Sequence, residues 1–178
     1  MAHELIDRQY VHRGRVLDLS LSRFQTAGKG EALLEIVHHN GGAGALPLFE
    51  DGQVALVRQW RYPLGRYSLE IAAGRIEPGQ TPEQTAMREL EEELGYRAKK
   101  LEKLAEFNVA PGYCEERIYV YLATGLEKSA QKLDEDEEIE VVVLPFEEAM
   151  RQLKSGAIDD AKSMITLLMA APVIEARK

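Results

Sequence analysis

Residues 72–98 read AAGRIEPGQTPEQTAMRELEEELGYRA, and they dictate a loop, one short helix and a stop. Thr81 suits a helix cap, Pro82 sits where a missing N–H costs nothing, and Gln84 stands at the capping-box position. Gly95 falls where a helix ends in a left-handed residue. A helix is therefore expected over residues 82–94. At about 100° per residue, Glu89, Glu92 and Glu93 share one sector of about 100°, and Ala86, Met87, Leu90 and Leu94 fill the next. The apolar sector must dock, so the carboxylates lie at the rim of the buried face. Like charges one turn apart repel by a few tenths of a kcal/mol when exposed, and partial burial raises that cost. A divalent cation relieves the repulsion and finds hard oxygen ligands. Taken alone, such a helix is also compatible with a solvated acidic face. Arg88, one turn before Glu92, is set to orient it.

The rest of the 178-residue chain reads as mixed α and β, long enough for a sizeable core. In VLDLSLSRF, Leu17, Leu19 and Leu21 alternate with polar residues, the period of a half-buried strand. Gly14 offers a turn, so residues 4–26 are expected to form a hairpin. ALLEIVHH is a further strand. ALPLFE and QVALVRQWRY follow, joined by the tight-turn signal Asp51-Gly52. KLAEFNVAP and RIYVYLAT are expected as strands around GYCEE, and IEVVVLP as another. FEEAMRQLKSG reads as a helix closed by Gly156, and DDAKSMITLLMAA as a last helix. The strands of residues 1–45 precede the compact αβ pattern and suggest a small β subdomain, with the main domain over 46–178.

Charge and composition narrow the function. A net charge of −8 argues against nucleic acid or another long polyanion as partner. A small anionic substrate is compatible if local arginines and a metal hold it. The lone Cys114 excludes a disulfide framework. His3, His12, His38 and His39 show no metal-ligand spacing. No apolar run reaches membrane-spanning length and the N-terminus has no signal-peptide core, so a cytoplasmic protein is expected.

Gly74, five residues, Gln80, seven residues, then Arg88-Glu89-Leu90-Glu91-Glu92-Glu93-Leu94-Gly95-Tyr96 resembles the Nudix box. The match departs at one position: Gln80 stands where the family has its first glutamate. The resemblance spans about residue 10 to residue 170. It implies an α/β/α sandwich with a mixed sheet, in which the box forms a loop–helix–loop. It implies hydrolysis of a nucleoside diphosphate linked to another moiety, with Mg²⁺ or Mn²⁺. By position, Glu89, Glu92, Glu93 and the carbonyl of Ala73 would be metal ligands, and Arg88 would orient a glutamate. Gly74 would keep that carbonyl approachable. Gln80 lacks the charge of a ligand.

Two further stretches resemble the ADP-ribose pyrophosphatase subfamily. In NVAPGYCEE, Pro111 stands where its members often carry a Pro-Gly-aromatic sequence, although Pro-Gly is also a common turn. LVRQWRYP resembles its arginine-bearing strand and implies that Arg61 reaches the substrate phosphates. Arg58 lies on the opposite strand face, so the two face one site only if the strand bends; it is a second substrate-binding candidate but reads better as a structural or charge-balancing residue. Glu70 would touch ribose or the metal shell, or pair with Arg61 or Arg75. The acidic run LDEDEEIE corresponds to a loop that brings in a base or extra ligand, with Glu135 and Glu137 as candidates and Glu138 as a third. It is equally readable as a solvated loop. In this subfamily N-terminal strands swap between subunits, so a homodimer is implied, with Tyr10 and Phe24 as base-stacking or core residues. The expected substrate is ADP-ribose, giving AMP and ribose 5-phosphate. Alternatives are GDP-mannose or another nucleoside-diphosphate sugar, and a non-catalytic nucleotide-sugar sensor.

Overall fold

A computed structural model describes residues 3–28, 30–133 and 138–177. The chain divides into two units, Met1–Gly41 with Phe107–Arg117, and Gly42–Glu106 with Ile118–Lys178.

The first unit holds β1 (Glu4–Arg13), β2 (Asp18–Thr26) and β3 (Gly30–His38), an antiparallel sheet with β2 in the middle. The β1–β2 hairpin forms as expected, with the Gly14 N–H donating to the Leu17 carbonyl at 3.0 Å. Its burial differs from a simple leucine face. Ser20 and Ser22 are the fully buried residues of β2, whereas Leu17 is exposed. The serines are satisfied locally: their hydroxyls lie 2.9 Å apart, and Ser20 bonds His38 Nε2 at 2.8 Å. The segment of residues 107–117 joins this unit through a parallel bridge between Val37 and Cys114. His38 Nδ1 meets Glu115 at 2.7 Å, and His39 meets Glu116 at 3.6 Å.

Among the described residues the second unit contains two sheets. One runs β10 (Ile139–Pro145), β5 (Gln53–Arg61), β6 (Arg66–Glu70), all antiparallel. The other runs β7 (Ala72–Arg75), β4 (Gly42–Pro47), β9 (Arg117–Lys128), β8 (Tyr96–Asn108), and is mixed because β4 and β9 are parallel. β4 begins at Gly42, within the glycine run that precedes ALPLFE. Glycine is required there: a Cβ on Gly44 would lie 2.5 Å from the Ala72 carbonyl oxygen. The Asp51-Gly52 turn forms, with Gly52 at φ 81°, but β4 and β5 belong to different sheets, joined near the turn by the Leu48–Val54 bridge and the Phe49 N–H bond to the Gln53 carbonyl.

Among the described residues three α-helices complete the unit: α1 (Pro82–Leu94), α2 (Phe146–Ser155) and α3 (Ala161–Glu175). The full capping box of Thr81 and Gln84 starts α1, and Gly95 at φ 70° ends it. Gly156 at φ 80° ends α2. Ala86, Leu90 and Leu94 of α1 bury against Ala43, Ala45, Val57, Ala72 and Tyr121. The strands under α1 carry mostly alanine and glycine, so the helix sits close to the sheet. Each large side chain buried this way contributes roughly 1.5–3 kcal/mol.

Candidate active site

The close docking of α1 decides the environment of its acidic residues. Glu89 is 7% exposed and Glu93 4% exposed, while Glu92 is half-buried. The carboxylates reach back to the strand that enters the helix loop. Glu93 Oε2 accepts a hydrogen bond from the Ala73 N–H at 3.0 Å. Glu89 fills the space over Gly74 so closely that a Cβ there would lie 1.8 Å from Glu89 Oε1. Gly74 therefore makes room for a carboxylate, a role beyond keeping the neighbouring carbonyl approachable.

Arg88 supplies the counter-charge. Its Nη1 donates to Glu92 Oε2 at 2.6 Å, and its Nη2 lies 2.7 Å from Glu89 Oε1 and 3.3 Å from the Arg75 carbonyl oxygen. Burial alone would lower the Arg88 pKa, but the charges of Glu89 and Glu92 outweigh it and raise it. Among the described residues no three His, Cys, Asp or Glu side chains are gathered as ligands of a metal ion. The Arg88 guanidinium bridges Glu89 and Glu92. The donor set itself is all oxygen and anionic, which suits a hard divalent cation.

Gln80, at the one position where the box departs, is engaged elsewhere. Its Oε1 accepts from the hydroxyl of Thr85 at 2.9 Å, and Thr85 is fully buried. It serves the start of α1.

The carbonyls at the end of α1 are covered by the segment after β9. Gln131 Nε2 donates to the Glu93 carbonyl at 2.7 Å and the Lys132 N–H to the Glu92 carbonyl at 2.9 Å. The Ser129 N–H donates to the Gly95 carbonyl at 2.7 Å. These bonds satisfy groups that a helix end leaves open. A cleft of about 320 Å³ lies here, lined by Met87, Arg88, Glu91, Glu92, Arg97 and Lys132. Glu135 and Glu137 follow this segment and lie outside the described residues.

A second charged group adjoins the first. Arg61, at the end of β5, forms a two-pronged pair with Glu70 of β6, at 2.8 Å from Nε and 2.6 Å from Nη2. Glu70 is 3% exposed. Burial pushes its carboxyl pKa up, but the bonds and charges of Arg61 and Lys162 outweigh this and hold it at about 2. The Arg61 pKa is raised, first by its bond to Glu70, and the charge of Glu93 adds to this. Glu93 thus links the two groups electrostatically. Arg58 stands apart on the other strand face, in an exposed pair with Glu140 at 3.3 Å and over the Tyr67 ring at 4.9 Å. Pro111 belongs to the first unit, in the turn where Tyr113 and Cys114 N–H groups bond the Ala110 carbonyl. Tyr10, also in that unit, packs on His38 with Arg13 over its ring, and Phe24 is half-buried.

Sequence reasoning did not single out Lys162, Asp160 or Ser163. Lys162 bonds both Glu70 and Asp160, and Asp160 caps α3 through the Ser163 N–H at 3.0 Å. Ser163 Oγ in turn accepts from the Ile71 N–H at 2.8 Å. The Asp-x-x-Ser start of α3 was a legible cap signal. Its partner, 92 residues away along the chain, was not.

A loop entering a capped helix, with glutamates folded back onto a glycine strand, is the arrangement of the Nudix family, and the chain belongs to it. The NUDIX domain model matches residues 38–167. The chain is similar to ADP-ribose pyrophosphatase of Bacillus subtilis (strain 168), at 37% identity over 182 residues, covering 100% of this chain and 98% of that protein. It is also similar to the methanol dehydrogenase activator of Bacillus methanolicus, at 35% identity over 164 residues, covering 91% and 89%. A solved structure of an ADP compounds hydrolase shares the fold, with a TM-score of 0.88 at 21% identity over 99% of this chain and 96% of that one.

Proposed function

We propose that this protein hydrolyses the pyrophosphate bond of a nucleoside-diphosphate sugar, with ADP-ribose as substrate and AMP and ribose 5-phosphate as products. One observation carries the reading: the Glu89 carboxylate occupies the space that Gly74 leaves, while Glu93 holds the Ala73 N–H. Carboxylates are held there at the buried rim of a helix, and Arg61, paired with Glu70, feels the charge of Glu93. The strong similarity to an ADP-ribose pyrophosphatase supports the choice of substrate.

Glu89, Glu92, Glu93 and the Ala73 carbonyl would hold Mg²⁺ or Mn²⁺. Such an ion polarises phosphoryl oxygens and lowers the pKa of an attacking water. The chain's own residues do the rest. Arg88 pairs with both Glu89 and Glu92 and aligns their carboxylates. Arg61 is held by Glu70 and offers its remaining N–H donors to a phosphate oxygen, since a guanidinium has five. Glu135 or Glu137 serves as base toward the water. The bonds from Gln131 and Lys132 to the α1 carbonyls support this by fastening the preceding segment beside Glu92 and Glu93. Arg58 balances Glu140, and Pro111 shapes the turn at Ala110.

The partner is a second copy of this chain. Leu5, Ile6, Val11, Leu33 and Leu34 of the N-terminal sheet are 47%, 49%, 49%, 62% and 48% exposed. Apolar residues in that number on one small sheet are what a subunit contact would cover. Among the described residues no helix is long and apolar enough to cross a membrane. A cytoplasmic location belongs to the same reading.

The test is hydrolysis of ADP-ribose in excess Mg²⁺, beside GDP-mannose and ADP-glucose, with products resolved by chromatography. AMP released selectively from ADP-ribose is the expected result. Turnover of another nucleotide sugar alone would discard ADP-ribose and keep the chemistry. Turnover of none would leave a nucleotide-sugar sensor as the better account.

A further inference from the structure

The Arg61–Glu70 pair has a third member. Lys162, at the start of α3, places its ammonium on Glu70 Oε2, the oxygen that also accepts from Arg61 Nη2. The Lys162 side chain is 16% exposed and that of Glu70 4%, so this contact is largely out of water. The same ammonium lies 3.0 Å from Asp160 Oδ2. The placement is held from two sides. Asp160 caps α3, and Ser163 of the same turn accepts the N–H of Ile71, the residue after Glu70. The start of α3 therefore grips both the side chain of residue 70 and the backbone of residue 71. That strand runs directly on to Ala73 and Gly74.

Charge counting gives the arrangement a purpose. Arg61, Lys162, Glu70 and Asp160 sum to zero. Without Lys162 the group is net negative, and Arg61 alone must neutralise Glu70. A diphosphate would then meet an arginine whose charge is already spent on a buried carboxylate. With Lys162 present, the carboxylate has a second cation of its own while Arg61, still held by Glu70, turns its remaining N–H donors and its charge to the substrate. Removing one partner from a buried charge pair otherwise leaves an uncompensated charge.

We propose that Lys162 is a positioning residue for substrate binding: by sharing Glu70 it releases the charge of Arg61 to the substrate's diphosphate. This rests on the reading of Arg61 as a phosphate ligand given above. Lys162 itself does not touch the reacting atoms. Its loss therefore weakens substrate binding more than turnover.

The experiment is a double-mutant cycle on the full chain, with kcat and KM for ADP-ribose measured for wild type, Lys162→Met, Arg61→Ala and the double variant. Lys162→Met is expected to raise KM about tenfold and to change kcat no more than about twofold, as loss of one charge-assisted contact would. In the Arg61→Ala background the same change is expected to add nothing, because Lys162 acts through Arg61. Lys162→Arg, which restores the charge, is expected to return KM to within about threefold of wild type. Should Lys162→Met fail to fold in a thermal melt, Lys162→Gln carries the same test.

A fall in kcat at unchanged KM would overturn the inference, as would fully additive losses. If Arg61→Ala raises KM and Lys162→Met does not, only the role of Lys162 is refuted. If Arg61→Ala leaves KM unchanged, or the wild type turns over no nucleotide sugar, the underlying reading fails and this inference with it.

Discussion

Gly74→Ala isolates the contact on which the proposed site depends. Gly74 has no positive φ, so alanine fits its backbone without strain. What alanine does not fit is Glu89: its Cβ would lie 1.8 Å from Oε1, 2.2 Å from Cδ and 2.8 Å from Oε2. Ordinary contact lies near 3.4 Å, so the carboxylate must retreat by about 1.6 Å. A misplacement of about 1 Å at a reacting centre costs roughly 10²-fold in rate. The expected fall in kcat/KM is therefore about 10²-fold, or about 2.7 kcal/mol of transition-state stabilisation. The Mg²⁺ concentration for half-maximal activity should rise in parallel, because the displaced group is a proposed ligand. Steady-state hydrolysis across a Mg²⁺ titration reads both quantities, and a thermal melt checks that the fold is retained. Repeating Gly74→Ala in a Glu89→Ala background should cost nothing further. Wild-type kcat/KM and an unchanged Mg²⁺ midpoint in Gly74→Ala would refute the reasoning.

Three other outcomes are expected. Glu93→Gln should lower turnover by at least about 10²-fold with the fold intact, since the amide still accepts the Ala73 N–H but lacks the charge for a cation; full activity would remove the cation reading. Gln80→Glu should change kcat/KM by less than about threefold, because a carboxylate still accepts from Thr85, whereas Gln80→Leu should cost about 1 kcal/mol in chemical denaturation. The Glu70 pKa is lowered from 4.5 to about 2. A depressed carboxyl pKa stabilises the fold above the unfolded value and ceases to do so as pH falls through the folded one. The stability gap between wild type and Glu70→Gln should thus shrink by roughly 3 kcal/mol as pH falls from above 4.5 to below 2. A gap constant across that range in urea titrations would show that the carboxylate's ionisation does not contribute.

Local codes determined the helices and most strands of this chain. A capping box at Thr81 and Gln84, glycines at 95 and 156, and the β-branched apolar run in IEVVVLP act over a few residues, so α1, the end of α2 and β10 were legible from the sequence. The salt bridge of Arg88 with Glu92 was legible for the same reason, since one helical turn fixes their separation. Burial of Ser20 and Ser22 in place of the leucines was not, because it depends on partners from neighbouring strands. Nor was the parting of β4 from β5 into separate sheets, which follows from pairing with β7, β9 and β10. The site divides along the same line. Periodicity put the three glutamates on one face, but only tertiary packing pressed Glu89 onto Gly74 and drove Arg88 between Glu89 and Glu92. Lys162 shows the limit most clearly. Its residue type and neighbours say helix start and nothing more, and it acquires a role only because α3 folds its first turn against a strand that ended 92 residues earlier. Sequence encodes short-range geometry directly, whereas a charge's partner across the fold is set by how the layers stack.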